Sequence, residues 1–242
     1  MMNANLPSSN AIKEYPYPRR LFVRRLIRGV IGAGLFTLTR FRVEGEAHLP
    51  TKGPLIVVIN HFHFLDAVVM IRALPWPLEF LADFEMPNVP APLRQIPDWY
   101  GTYKVAQGTP NREAIRAAEA VLAQHGVLGV FPEGRLHKPP LHDALPGAAF
   151  LALRTGAPVL PVGIYTDRDW DIFGTIRQTG HRLKVTCRFG ETVGPFVTPN
   201  PMRPSKVELA RVGEALMSAI ARLLPPEMQG VFGPEMDSEP LA

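Results

Sequence analysis

Residues 54–60 read PLIVVIN, and the five consecutive apolar residues at their centre constrain the fold more than any other feature of the chain. The run is too short for a buried helix. It is rich in β-branched side chains and ends on a polar Asn60, as expected of a strand covered on both faces. Such a strand needs a layer on each side of its sheet, and the flanking sequence offers both strands and helices. Residues 110–124 predict a helix, with Pro110 at its start, Ile115, Ala118, Val121 and Leu122 on one side, and Gly126 as a stop signal. A strand over 127–131, a helix over 144–155 closed by Gly156 and a strand over 159–165 follow. Further strands are expected over 41–46, 78–82 and 181–189, and a long amphipathic helix over 205–224. This alternation predicts an α/β fold, a largely parallel central sheet covered by helices. A length of 242 residues at 46% hydrophobic content suits a single domain. Its expected limits are 41–224, between an arm over 1–40 and an aperiodic tail over 225–242.

Charge is unevenly spread. The chain is +4 overall, yet residues 1–42 hold eight basic groups against one acid, Glu14, so the remainder is slightly acidic. Within the arm, Phe22, Leu26 and Val30 form one helical row and Val23, Ile27 and Ile31 the next, with Arg24, Arg25 and Arg28 expected opposite. The uncharged run over 29–39 is 11 residues, against roughly 20 for a bilayer span. The expectation is therefore an N-terminal amphipathic helix that contacts a membrane bearing anionic lipids, peripheral or monotopic, with arginines at the lipid phosphates. A helix packed on the domain with its arginines in solvent is the competing reading. The arm interleaves no aromatics for base stacking and no nucleic-acid-binding motif follows, so nucleic acid is not an expected partner. The single cysteine, Cys187, cannot form an internal disulfide and has no ligand-spaced neighbours for zinc, which fits a reducing compartment and the cytoplasmic face of the membrane.

Two segments carry chemistry. Asn60-His61-Phe62-His63-Phe64-Leu65-Asp66 directly follows the buried strand, where α/β sheets place their ligand-binding ends. Five residues separate His61 from Asp66, so they meet only if a turn intervenes and Asp66 opens the next helix. Such a pair makes a general base, the carboxylate fixing the tautomer while the free ring nitrogen takes a proton from a hydroxyl. His63, three residues before Asp66, competes for the same carboxylate. The second segment, Phe131-Pro132-Glu133-Gly134-Arg135, again ends a strand. A glycine there lets backbone approach a ligand, and Arg135 offers a guanidinium to an anion such as phosphate; a tight turn with a solvated arginine is the alternative.

With 101–105 (Gly-Thr-Tyr-Lys-Val) and 159–162 (Val-Leu-Pro-Val), these segments form four ordered blocks, and together they resemble the glycerolipid acyltransferase family, which includes 1-acylglycerol-3-phosphate acyltransferases. The resemblance extends over roughly residues 41–195. It implies transfer of a fatty acyl group from a thioester of coenzyme A or acyl carrier protein to the hydroxyl of a lysophospholipid, with His61 as base and Asp66 as its orienting partner. It implies Glu133 and Gly134 in the acceptor site, and no metal or redox cofactor. The family usually ends its second block in a phosphate-binding arginine, whereas Gln107 stands at that place here, and Arg135 directly follows its glycine instead of coming two residues later. Phosphate binding then falls to Lys104, Arg135 or Arg112, or else the acceptor is a different lipid, unphosphorylated or differently charged. A covalent route through Cys187 has no adjacent histidine to support it. A non-catalytic lipid-binding protein on the same fold is the rival from another class.

Overall fold

The computed structural model describes residues 9–82, 95–104 and 112–233. In chain order the elements are α1 (Ser9–Glu14), α2 (Leu21–Leu38), β1 (Thr39–Glu44), β2 (Leu55–Ile59), α3 (Leu65–Ala73), β3 (Leu78–Ala82), α4 (Ile96–Tyr100), β4 (Tyr103–Lys104), α5 (Arg112–Ala123), β5 (Val127–Val130), α6 (Pro146–Thr155), β6 (Val159–Thr166), α7 (Ile172–Thr179), β7 (Leu183–Phe189) and α8 (Lys206–Ala221). The strands form one sheet in the order β1-β7-β6-β2-β5-β3-β4, with the two-residue β4 at one edge. Every pairing among them is parallel except β6 with β7.

β2 lies at the centre of this sheet, and all five of its side chains are buried. Alternation splits them between two cores. Leu55, Val57 and Ile59 pack with Val69 and Met70 of α3 and with Ile31 and Leu35 of α2. Ile56 and Val58 pack on the other face with Leu122 of α5, Leu151 of α6 and Leu216 and Ile220 of α8. At roughly 1.5–3 kcal/mol per fully buried aliphatic side chain, β2 alone contributes on the order of 10 kcal/mol to the gross burial term. The sheet thus has helices on both faces, as the run at 54–60 predicts.

Helix ends follow their local chemistry. α8 opens on a capping box in which the Ser205 hydroxyl accepts from the Glu208 backbone N–H and the Glu208 side chain accepts from Ser205 N–H. α7 lies in a stretch that periodicity does not single out, because it is only eight residues long; Asp171 caps it by accepting from Gly174 N–H. Of the tail, residues 225–233 dock back: Met228 and Phe232 lie against the second core, and Leu141 N–H donates to Met228 O.

The arm corrects one expectation. Arg24 does not face outward but is buried at 4% exposure, its guanidinium gripping Glu79 of β3 through two contacts of 2.6 and 2.8 Å while Nε donates to Tyr100 O. The reason is helical phase. Arg24 lies seven and eleven residues before Ile31 and Leu35, on the same side of the helix, and those two enter the core. What faces out is the apolar row Phe22, Leu26, Val30 and Phe36, exposed by 81%, 60%, 66% and 78%. Among the described residues no helix is long and apolar enough to cross a membrane.

Candidate active site

The end of β2 delivers His61 and the start of α3 delivers Asp66. Asn60, between strand and turn, is fully buried and locks the strand end: its amide donates to Ile164 O at 2.8 Å and its side-chain oxygen accepts from Ile164 N–H at 2.7 Å. The chain then turns, and His61 Nδ1 comes to 3.4 Å from Asp66 Oδ2. The same carboxylate oxygen accepts the His63 backbone N–H at 2.8 Å. Asp66 thus engages both histidines, the ring of His61 and the backbone of His63. Burial pushes its carboxyl upward, and the His61 ring and His63 N–H pull against that shift. The Phe62 backbone N–H also favours the ionised form, although Asp66 Oδ1 is buried without a hydrogen-bond partner.

His61 keeps 19% of its side chain exposed and stacks on Phe131 of the β5 end at 4.0 Å between ring centroids. A proton on Nδ1, facing Asp66, would leave Nε2 as the acceptor. The His63 ring takes another course. It stacks on Trp170 at 4.9 Å, accepts from Leu65 N–H through Nδ1, and has its pKa pulled down to about 4 by burial and by His61.

Glu133 joins the two strand ends. It is buried, its Oε1 accepting from His61 N–H at 2.9 Å and its Oε2 from His142 N–H at 3.0 Å. Oε2 also lies 3.4 Å from His137 Nε2, and His137 N–H donates to His61 O at 3.1 Å. A single carboxylate therefore ties the loop after β5 to the backbone of His61. His137 and His142 are site residues that sequence reasoning did not single out. They sit in a proline-containing loop without periodicity, and nothing in the sequence brings them to Glu133.

Gly134 occupies the left-handed region at φ 72°, closing a turn in which its N–H donates to Phe131 O. A Cβ there would fall 2.2 Å from Leu145 Cδ1, so the close approach this glycine permits is that of the chain's own Leu145. Arg135 is exposed at the rim beside it. Lys104 enters as backbone of β4, paired with Ala82; its side chain, Val105 and Gln107 lie outside the described residues. Arg112 opens α5. Cys187 is fully buried mid-strand, and burial drives its thiol strongly upward, away from the reactive thiolate. Among the described residues no three His, Cys, Asp or Glu side chains cluster as metal ligands would.

Residues 40–165, just over half of the chain, match the family model described as Acyltransferase. The chain belongs to the acyltransferase family. The match spans both the His61–Asp66 turn and the Glu133 loop. Two curated relatives are named 1-acyl-sn-glycerol-3-phosphate acyltransferases. The protein of Borreliella burgdorferi is 26% identical over 148 residues, 57% of this chain and 56% of its own. The alpha form of Homo sapiens is 28% identical over 136 residues, 54% of this chain and 47% of its own. The chain spans about half the length of the curated relatives it matches. The crystal structure of the 1-acyl-sn-glycerophosphate acyltransferase of Thermotoga maritima superposes with a TM-score of 0.58 at 23% identity, covering 88% of this chain and 86% of that one, and shares its fold.

Proposed function

We propose that this acyltransferase-family chain moves a fatty acyl group from a thioester, of coenzyme A or acyl carrier protein, to the hydroxyl of a lysophospholipid, most readily 1-acylglycerol-3-phosphate, in phospholipid synthesis. The observation that carries the reading is the His61–Asp66 pair at the end of β2. Asp66 accepts from Nδ1–H, which leaves Nε2 to take the acceptor's hydroxyl proton as its oxygen attacks the thioester carbonyl. The carbon–sulfur bond then breaks, and the departing thiolate recovers the proton from the imidazolium. General-base help of this kind is worth on the order of 10²–10⁴ in rate. The thioester brings its own leaving group, so these steps draw on no cofactor.

Glu133 acts here as a positioning residue. Both its oxygens are engaged with backbone of the His61 turn and the following loop. The candidate cations for an acceptor phosphate are Arg135, exposed in that loop, and Lys104. Membrane association is peripheral, through the outward apolar row of α2, on the cytoplasmic face where anionic lipids gather.

The test is an acceptor screen with purified protein and labelled acyl donor. Transfer to lysophosphatidic acid should exceed transfer to monoacylglycerol, and Arg135→Ala should raise the Michaelis constant for the phosphorylated acceptor about 10- to 150-fold while leaving that for the donor unchanged. A preference for monoacylglycerol would instead favour the unphosphorylated acceptor.

A further inference from the structure

A groove of about 760 Å³ runs between α2, β1 and the C-terminal end of α3, and no residue of the His61 site lines it. Its walls carry five arginines, Arg28, Arg40, Arg42, Arg72 and Arg182, against one carboxylate, Glu46. Among the described residues none of the five makes an ion pair. Some are pressed together: Arg28 donates from Nε and Nη2 to the backbone oxygen of Arg72, and burial and the Arg72 charge lower its pKa. Arg72 lies against Gly32 of α2, where a Cβ would stand 2.8 Å from its Nε. Arg182 donates to Phe36 O at the C-terminal end of α2. Arg40 and Arg42 are exposed on the edge strand.

Charge on an edge strand discourages unwanted pairing, which would account for Arg40 and Arg42 but not for the arginines that α2, α3 and the start of β7 bring to the same groove. Unpaired like charges gathered this closely are unfavourable until an anion joins them. The groove also adjoins the outward apolar row of α2, for Phe36 both lines it and is 78% exposed. An apolar row beside a cationic groove has the layout of an interfacial site, with acyl boundary and phosphates met by adjoining surfaces.

We propose that this groove seats the phosphate headgroup of an anionic membrane lipid distinct from the acceptor being acylated, and so fixes the orientation of the protein on the bilayer. The proposal rests on the membrane role given above to α2, and it needs no turnover to be read.

The experiment is vesicle co-sedimentation of the full chain, with phosphatidylcholine alone and with phosphatidylglycerol mixed in. At about fivefold per basic residue near an anionic surface, Arg40→Gln with Arg42→Gln should lower partitioning onto the anionic vesicles about 25-fold and leave binding to phosphatidylcholine unchanged. Lys206→Gln with Arg211→Gln, an equal charge change on α8 across the sheet, should have little effect. Equal losses from the two double variants would reduce the groove to diffuse electrostatics and overturn the proposal, as would wild-type binding by Arg40→Gln/Arg42→Gln. If His61→Ala kept full acyl transfer while the vesicle results held, the enzymatic reading would fail and the groove would stand.

Discussion

At the scale of single residues, the site rests on a buried carboxylate that the fold does not fully satisfy. Asp66 presents one oxygen to His61 and to the His63 backbone, while the other has no partner. Its pKa is raised in the folded state, so the native chain holds that proton more tightly than the unfolded chain and loses stability as pH rises through the range between the two values. Asp66→Asn removes this cost. At pH 7 the variant should therefore melt at or above the wild-type temperature in calorimetry, while transfer falls roughly 10²–10⁴-fold because the ring loses its anionic partner. His63 has the opposite sign of linkage. Its folded pKa of about 4 lies below the ordinary 6.5, so the acid penalty on the native state grows as pH falls from about 6.5 and is complete below about 4. His63→Phe keeps an aromatic ring against Trp170 and should flatten this acid limb of the melting-temperature profile while retaining most activity. An acid limb unchanged in His63→Phe would place the titrating group elsewhere.

Among the elements, α2 is anchored from inside and apolar outside. Removing one partner of a buried ion pair costs about 3–5 kcal/mol, and for a chain of this size that is a fall of about 10 °C in Tm. Arg24→Ala should show it, because Glu79 would be left buried with Arg19, at 3.3 Å, as its remaining ion-pair partner among the described residues. Phe22→Ser with Leu26→Ser removes only exposed apolar surface, so thermal stability should hold while binding to vesicles of any charge weakens. The sequence showed that α2 is a helix and that its rows are apolar. It did not show which row enters the core, because an arginine in the inward row reads as solvent-facing until Glu79, 55 residues later in the chain, is known to meet it. The strands were legible for a simpler reason: β2, β5 and β6 are buried on both faces and must be continuously apolar. α4 and α7 were not, being too short to show a period.

For the molecule as a whole, the sheet sets the site by bringing the ends of β2 and β5 side by side, Val58 paired with Val130, so that the turns carrying His61 and Glu133 converge. His61 and Asp66 were legible because a strand-end turn joins them locally. The loop that returns His137 and His142 to Glu133 was not, since its contacts depend on tertiary path rather than on spacing. The claim on which the rest depends is that His61 Nε2 is the base in acyl transfer. It is tested most directly by assaying purified His61→Ala and His63→Ala, matched to wild type by circular dichroism, for transfer of a labelled acyl group to lysophosphatidic acid. The expected result is a loss of at least 10²-fold in His61→Ala with appreciable activity kept in His63→Ala; an active His61→Ala beside an inactive His63→Ala would contradict it.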